Sequence, residues 1–400
     1  MRTYRELFRV PEFTPLFTLV SVQIAASTVS GLALGVLVYR ATDSPLLSAL
    51  SMFGPSFAQM IGAMALLSAA DRVPPRAALT ALAVVFGVGT ASLAVPGLPL
   101  WAIFTIIFAL GLAASLGGGV RFGLLNEILP RDGFLLGRST IGMSVAVQQI
   151  AGYAVGGLLV TLLTPALTLL TGAGLYLLAA LIARLGLTRR PARAGGRPSI
   201  SETWRTNRLL WSAGSRRSIY LALWVPNGLI VGCESLFVSF DPVRAGLLFA
   251  GTALGMLAGD VAAGRFITPY WRLRLGAPLR LLLAIPYLIF LVDPPFPVAL
   301  AAVTLASIGF SASLLLQERL LALTPESVSG QALGLQSSGL LTMQGVGSAV
   351  AGTIAQLTSP ATAMGFMAVA SVAVTLALAP GLRPPSERPP VESRVPDAAH

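Results

Sequence analysis

The stretch "GAMALLSAADRVPPR", residues 62 to 76, ends a long apolar run with an aspartate, two arginines and two prolines. A second stretch, "GTALGMLAGDVAAGR", residues 251 to 265, repeats its glycine, aspartate and final arginine at the same spacing, 189 positions later. Three recurring residues are weak evidence when they stand alone. They raise the question of whether the chain contains two copies of one unit.

A second correspondence supports the duplication. At an offset of 195 residues, Pro130, Gln149 and Gly152 are matched by Pro325, Gln344 and Gly347. Two sets of matches at nearly the same offset predict a parallel repeat, in which two halves of the chain have the same orientation in a membrane.

The composition indicates a membrane protein. Of the 400 residues 55% are hydrophobic and 11% charged, against about 25% charged in an average soluble domain. Each charge-free run exceeds the roughly 18 residues that mark a membrane-spanning helix. These runs are 13–39, 44–70, 77–120, 139–183, 294–317 and 327–382.

Three of the runs are too long for one crossing, and each contains a turn signal: "PGLP" at 96–99, "TP" at 164–165 and "SP" at 359–360. This predicts nine helices. Three weaker apolar stretches, 218–240, 245–268 and 277–292, raise the number to twelve. The predicted fold class is an all-α membrane protein of twelve transmembrane helices in two six-helix halves.

The arginines predict the orientation. All 27 basic residues are arginine, and with both termini in the cytoplasm only Arg40 and Arg244 would lie in external loops. This agrees with the positive-inside rule for a multi-pass protein of the inner (cytoplasmic) membrane. The net charge of +11 therefore indicates contact with anionic membrane lipids rather than with nucleic acid. The charged start followed by about 27 apolar residues is interpreted as a retained first helix.

The predicted organisation has four parts. Residues 1–187 form an amino-terminal six-helix half and residues 218–382 a carboxyl-terminal one. The segment 188–217 holds eight arginines and one acid, and it is interpreted as a basic cytoplasmic linker, either solvated or with a short helix on the inner leaflet. The proline-rich tail 383–400 is expected to be a disordered cytoplasmic segment.

The chain lacks the residues of several catalytic and binding motifs. His400 is the sole histidine, so no histidine-based triad or metal cluster can form. No lysine is present for a phosphate-binding loop, so the glycine-rich "SLGGGVRF" at 115–122 is no such loop. Cys233 is the only cysteine. We therefore expect no enzyme, no cofactor and no metal, and any uphill transport would use an ion gradient.

One acid lies well inside a predicted helix. Glu234 precedes Asp241 by seven residues, about 10 Å at 1.5 Å per residue. A carboxyl group in an apolar span can gain and lose protons, so Glu234 is predicted to couple transport to protons or to bind a cation. Two alternatives remain open: a water-filled external vestibule, or an ion pair with Arg40 or Arg244.

Together these features resemble the major facilitator superfamily of transporters over about residues 10 to 382. Gly62, Asp71, Arg72 and Arg76 resemble its signature loop between helices 2 and 3. Gly251, Asp260 and Arg265 resemble the second, degenerate copy between helices 8 and 9. The resemblance implies a gate that latches the halves when the cytoplasmic side is closed. The alternative is a charge cluster that only enforces topology.

The segment from "LLNEILPRDGFLLGRS" to "QQIAGYAVGGLLV" is similar to helices 4 and 5 of bacterial drug exporters and transmembrane secretion effectors. Two differences put proton antiport in question: Tyr153 replaces an expected proline, and Phe108 an arginine. By the same resemblance, helices 1, 4, 7 and 10 line a substrate cavity. The candidate lining residues are Gln23, Ser27, Thr28, Trp224, Asn227, Thr304, Ser307, Ser311 and Gln317.

Three further charged residues, Arg121, Glu318 and Arg319, are predicted to form salt bridges at the inner ends of helices 4 and 10, with substrate-anion binding as the alternative for Arg121.

The expected function is export of small amphipathic molecules by alternating access in exchange for protons, by a monomer in contact with lipids. The alternatives are an uncoupled facilitator or importer, and a membrane scaffold or sensor that transports nothing.

Overall fold

The structure is a computed structural model that describes residues 4–66, 73–191, 208–272, 274–325 and 328–382, and within these ranges it contains helices and no strand. The α-helices of its first part are α1 Tyr4–Leu7, α2 Phe13–Thr42, α3 Pro45–Phe53, α4 Pro55–Leu66, α5 Pro75–Leu93, α6 Leu100–Ile128, α7 Arg131–Leu162 and α8 Pro165–Gly186. Those of its second part are α9 Gly214–Glu234, α10 Phe237–Phe240, α11 Ala245–Arg265, α12 Pro269–Arg272, α13 Gly276–Ala284, α14 Phe296–Ile308, α15 Ala312–Ala322, α16 Ser329–Leu357 and α17 Pro360–Leu378. Short 3-10 segments extend α13, α14 and α17 at Ile285–Val292, Gly309–Ser311 and Ala379–Leu382.

In the described part of the chain, nine helices are long and apolar enough to cross a membrane. The stretches 214–240 and 245–265 are among them, although the sequence signal there is weaker. The helices α3 and α4 are not among the nine because Gly54 and Pro55 divide this stretch into two short helices. Helix α16 is not among them because glutamine, serine and threonine interrupt its apolar residues. A shorter apolar helix covers Gly276–Val292. These spans indicate a multi-pass membrane protein.

The helices begin and end where the local sequence dictates. Proline occupies the first turn of α3, α8 and α17, where its missing N–H removes no helical hydrogen bond. The preceding Ser44, Thr164 and Ser359 cap these helices by accepting a backbone N–H bond at 3.1–3.2 Å. Two of these caps stand at the predicted breaks at 164–165 and 359–360. At the third break the chain turns through Gly97, whose φ of 76° suits glycine.

The helices pack in the same pattern in both parts of the chain. In the first part, α2 packs against α7 and α8, α8 against α5, and α4 against α6. In the second part, α9 packs against α16 and α17, α17 against the segment 276–292, and α11 against α14. Each contact of the first set has an equivalent in the second at about the spacing of the sequence repeat.

The bundle has two faces. At the terminal face α2 begins and α8 ends, where Glu12 Oε1 accepts a hydrogen bond from Arg190 Nη2 at 2.8 Å. At the far face α3 begins and α16 ends, where Ser44 Oγ donates to Gln356 Oε1 at 2.7 Å. The far face also brings the end of α7 to the start of α11.

The hydrophobic core is shared at one face and divided at the other. At the far face a single cluster of buried residues joins both parts of the chain, with Leu34 and Val160 from the first and Phe237 and Ala351 from the second. At the terminal face the described residues form two separate clusters. One belongs to the first part alone, around Leu16 and Leu124, and the other to the second part alone, around Tyr220 and Leu316. The two parts are therefore held together mainly at the far face.

Candidate functional site

A cavity of about 420 Å³ lies within the first part of the chain, between α2, α3, α4, α5, α6 and α8. This volume is within the range of about 300–1,000 Å³ typical of small-molecule sites. Its walls are mostly apolar, and its polar side chains include Gln23, Ser27, Gln59 and Arg121. The cavity is thus lined as ligand pockets commonly are, by an apolar surface with a few polar groups.

The glycine-rich stretch of α6 leaves space for the cavity. Gly117 and Gly118 both line it. A Cβ on Gly118 would meet no atom within 4 Å, and one on Gly117 would meet only Leu82 Cδ1, at 3.9 Å. Larger side chains at these positions would occupy the cavity. The stretch that resembles a phosphate-binding loop in composition thus makes part of the wall of a pocket.

An aromatic pair lines the cavity where α5 packs against α8. The rings of Phe86 on α5 and Tyr176 on α8 stack with centroids 5.4 Å apart. Such offset stacking fixes the two rings relative to each other and gives a flat apolar wall. On the α6 side, Arg121 reaches the cavity from a position seven residues before the end of the helix, about 10 Å from the terminal face.

A second group of polar side chains is buried in the second part of the chain, near the far face. Glu234 is 8% exposed, and its Oε1 has no hydrogen-bond partner. The hydroxyl groups of Thr252 and Tyr287 interact with each other, and Tyr287 lies within electrostatic range of Glu234. Buried polar atoms are almost always hydrogen-bonded, so an unsatisfied carboxylate oxygen beside two buried hydroxyl groups is a candidate functional site.

A tyrosine from the first part of the chain lies beside this group. The ring of Tyr153 on α7 stacks on Phe249 of α11 at 4.8 Å, and its hydroxyl is within electrostatic range of Glu234. Arg244, which the sequence offers as an ion-pair partner for Glu234, instead binds Asp241 at 2.7 Å. Arg40 is exposed.

The candidate lining residues divide between the cavity and the helix contacts. Gln23 and Ser27 line the cavity. Thr28 packs against Gly152, while Thr304 and Ser307 face Gly251 and Gly255 of α11. The indole nitrogen of Trp224 donates to the carbonyl of Gln336 at 2.8 Å, and the hydroxyl of Ser311 donates to the carbonyl of Ile308 at 2.8 Å. Asn227 is buried on α9, seven residues before Glu234, and Gln317 is half-buried.

The two motif glycines occupy equivalent helix contacts. A Cβ on Gly62 would lie 2.5 Å from Ser115 Oγ of α6, and one on Gly251 would lie 2.6 Å from Thr304 Oγ1 of α14. Each glycine thus permits the close approach of one pair of helices. Of the charged motif residues, Arg76 is half-buried, and Asp260 and Arg265 are exposed. Asp71 and Arg72 lie outside the described residues, as do residues 192–207 of the basic segment and the tail from residue 383.

The three charged residues predicted at the inner helix ends have different surroundings. Arg121 lines the cavity. Glu318 Oε2 pairs with Arg272 Nη1 at 3.3 Å within the second part of the chain. Arg319 donates a hydrogen bond to the carbonyl of Leu382, which ties α15 to the last described turn.

One buried charge was not predicted. Arg280 on α13 is fully buried, and its Nη2 donates to Ser313 Oγ at 3.0 Å, while Nε and Nη1 have no partner among the described residues. A single arginine inside the apolar run 277–292 is the sequence signal that could have identified it. Gln59, Phe86 and Tyr176 carry no such signal, because only packing brings them to the cavity.

No protein-family model and no curated protein sequence matches the chain. Solved structures of membrane transporters do match its fold. The nucleoside transporter NupG, in a mutant form, matches with a TM-score of 0.78 and 13% identity over 92% of this chain and 99% of the other. A POT family transporter in complex with 5-aminolevulinic acid matches with a TM-score of 0.73 and 12% identity over 92% of this chain and 96% of the other.

A bacterial homolog of the human lysosomal transporter Spinster, in an inward-facing and unoccupied conformation, matches with a TM-score of 0.67 and 15% identity over 96% of this chain and 97% of the other. At such low identity the comparisons show the fold alone. The chain therefore has the fold of these transporters, the fold that the resemblance to the major facilitator superfamily predicts.

Proposed function

We propose that the protein is a secondary transporter of the major facilitator type that works by alternating access. Its twelve membrane helices form two six-helix halves, residues 1–187 and 218–382, joined by the basic segment 188–217. Its function is the export of small amphipathic molecules in exchange for protons. The observation that carries this proposal is the division of the hydrophobic core, which is continuous at the far face and split in two at the terminal face.

The far-face contacts suit a surface that must open and close. Gly157 of α7 approaches Gly246 of α11 so closely that a Cβ on Gly157 would lie 3.1 Å from Gly246 Cα. Leu46 of α3 packs in the same way against Gly352 of α16. Small residues let helix backbones approach without interlocking side chains, so two rigid halves can separate there as the terminal face closes. In this arrangement the far face is shut and a solute reaches the cavity from the terminal face.

Glu234 is the residue through which we expect protons to act. With the far face shut, an ionised carboxylate would be buried with one oxygen lacking any donor and with Arg244 engaged by Asp241. Such a buried charge is strongly unfavourable. Separation of α7 from α11 would withdraw Tyr153 and admit water to Glu234. Proton binding and release would then be linked to opening of the far face, which is the requirement for coupled exchange.

The test is solute flux in vesicles that contain the purified protein. A panel of amphipathic compounds is offered with an imposed pH gradient, and the same measurements are made with an uncoupler. We expect accumulation against a gradient, and its loss when the uncoupler is added. Flux that does not depend on the pH gradient would indicate a facilitator instead of an antiporter. The absence of flux for every compound would refute transport.

Two matched variants test the role of Glu234. Glu234→Gln keeps the shape of the side chain but cannot ionise, so we expect uphill accumulation to be lost while exchange of compound across the membrane persists. Glu318→Gln makes the same change at a position that is 61% exposed, and it should retain accumulation. Equal accumulation in the two variants would show that Glu234 does not couple transport to protons.

A further inference from the structure

The turn between α11 and α13 is longer than the equivalent turn in the first part of the chain. Arg76, the last residue of the first motif, already belongs to α5, which begins at Pro75. Arg265, the last residue of the second motif, is instead followed by residues 266–275 before α13 begins at Gly276. This added segment reads "FITPYWRLRL" and contains three aromatic residues, whereas the stretch around the first motif has none. The second turn thus carries side-chain chemistry that the first turn lacks.

The three aromatic side chains of this turn are exposed. Phe266 is 73% exposed, Tyr270 56% and Trp271 53%. The rings of Tyr270 and Trp271 pack edge to face, with their centroids 5.7 Å apart. Large apolar side chains that are clustered and exposed mark an interaction surface.

The position of the turn indicates which kind of partner it meets. Helix α11 has 21 residues and is about 31 Å long at 1.5 Å per residue. This length matches the roughly 30 Å of hydrocarbon in a bilayer, so Phe266, which follows the helix directly, lies where the hydrocarbon meets the headgroups. Tryptophan and tyrosine favour this depth because they combine an apolar ring with a polar group. The position therefore favours a phospholipid over a soluble molecule.

Two positive charges flank the exposed rings. The guanidinium carbon of Arg274 lies over the ring of Tyr270, 4.0 Å from its centroid, and Arg265 is exposed at the end of α11. In the described part of the chain neither guanidinium group pairs with a carboxylate. Asp260 precedes Arg265 by five residues and therefore lies about 140° around the helix from it. The exposed rings and the two arginines together match a ligand with an apolar body and a negative headgroup.

A third arginine holds the turn in place. Arg272 donates hydrogen bonds from Nε to the carbonyl of Ile267 at 3.0 Å and from Nη2 to the carbonyl of Gly264 at 3.4 Å. Its Nη1 pairs with Glu318 Oε2 of α15 at 3.3 Å, which also offsets its charge. The turn is thus fixed to α11 and α15. A ligand that binds to it pays little for ordering the backbone.

We propose that this turn is a binding site for an anionic phospholipid. The guanidinium groups of Arg265 and Arg274 bind the phosphate of the headgroup through charge-assisted hydrogen bonds. The rings of Phe266, Tyr270 and Trp271 pack against the glycerol region and the upper acyl chains. The site is independent of whether the protein transports a solute.

The fluorescence of Trp271 measures the binding. The full-length protein is placed in vesicles of phosphatidylcholine with increasing fractions of phosphatidylglycerol, and either lipid carries brominated acyl chains that quench tryptophan. The difference between the unmodified chain and Trp271→Phe isolates the emission of this residue. We expect phosphatidylglycerol to bind roughly 25-fold more strongly than phosphatidylcholine, because each arginine near the surface contributes roughly fivefold. A relative binding constant of one would overturn the proposal.

Variants assign the preference to the two arginines. Arg265→Gln and Arg274→Gln should each lower the relative binding constant roughly fivefold, and the double variant should bring it close to one. Arg184→Gln is the matched control, since Arg184 is exposed in the last turn of α8 as Arg265 is in the last turn of α11. An equal fall in Arg184→Gln would show that the lipid responds to net charge alone and would contradict the assigned site.

Two further conditions test the chemistry of the ligand. Soluble glycerol 3-phosphate has the phosphate without acyl chains, so it should not reverse the quenching; reversal would contradict a lipid ligand. A rise in ionic strength from about 0.1 M to about 1 M shortens the Debye length from about 10 Å to about 3 Å. The preference for phosphatidylglycerol should fall accordingly, and a preference that salt leaves unchanged would refute recognition by the two exposed arginines.

Discussion

A methyl group at the contact of α7 with α11 should shift the protein toward a state with an open far face. In Gly246→Ala, the added Cβ would lie 2.6 Å from the carbonyl oxygen of Tyr153 and 2.7 Å from Gly157 Cα. Both neighbours are backbone atoms, which no change of rotamer can move. Carbon atoms in contact are normally about 3.5–4.0 Å apart, so the two helices must separate by roughly 1 Å.

The magnitude follows from the cost of overpacking. Insertion of an extra methyl group into a well-packed contact typically costs about 1–3 kcal/mol. Only the state with a closed far face contains this contact, so the full cost falls on that state. A cost of this size changes the ratio of two states by roughly 5- to 150-fold. We therefore expect the open far face to become more populated by that factor.

The assay is the rate of maleimide labelling at a cysteine introduced at Leu46, which packs against Gly352 when the far face is closed. Purified protein in detergent exposes both faces to the reagent, and the chain without the added cysteine measures the background from buried Cys233. Labelling should accelerate in Gly246→Ala by the stated factor. The opening interpretation fails if the rate is unchanged in folded protein.

The matched control is on the same helix. A methyl group at Gly255 would strike the backbone of Thr304, a contact of α11 with α14 within the second part of the chain. Gly255→Ala should therefore lower thermal stability in both states and leave the labelling rate at residue 46 unaltered. Acceleration of equal size in both variants would mean that labelling reports general loosening instead of far-face opening.

Three further predictions concern other contacts. A short bis-thiol crosslinker that joins Ser44→Cys to Gln356→Cys, two positions whose side chains meet at 2.7 Å across the far face, should stop turnover, and normal flux of the crosslinked protein would contradict the need for far-face opening. Asp71→Asn should slow turnover more than Asp260→Asn, because the second motif lacks an arginine directly after its aspartate; equal turnover rates would argue against an asymmetric latch. Arg280→Met should leave the melting temperature unchanged or raise it by a few degrees, since Nε and Nη1 of the buried guanidinium lack partners; a large fall would mean that Arg280 has a structural anion partner.

Much of the fold is predictable from the sequence because its determinants are local. The apolar length of each run, the Ser-Pro and Thr-Pro pairs that start α3, α8 and α17, and the turn at Gly97 act over a few residues. The repeated Gly62 and Gly251 also occur at equivalent close helix contacts. The sequence does not reveal that 45–66 is divided at Gly54, since glycine and proline occur in continuous membrane helices as well.

The candidate site was only partly predictable. Burial of Glu234 follows from its position inside an apolar run, and Gln23 and Ser27 do line a cavity. In contrast, Thr304 and Ser307 have the composition of lining residues but face the glycines of α11. A polar residue in a membrane helix can face a cavity or a neighbouring helix, and the choice depends on the rotation of that helix in the bundle.

The amino-acid sequence by itself determined that the chain forms apolar helices and where most of them end. Tertiary structure alone decided that the cavity lies within the first part of the chain, beside Arg121, and that the two parts share one hydrophobic core at the far face. The physical reason is that helix formation and burial in lipid depend on neighbouring residues. A cavity or a contact between the two parts instead requires residues such as Gly157 and Gly246 to meet from helices that are distant in the chain.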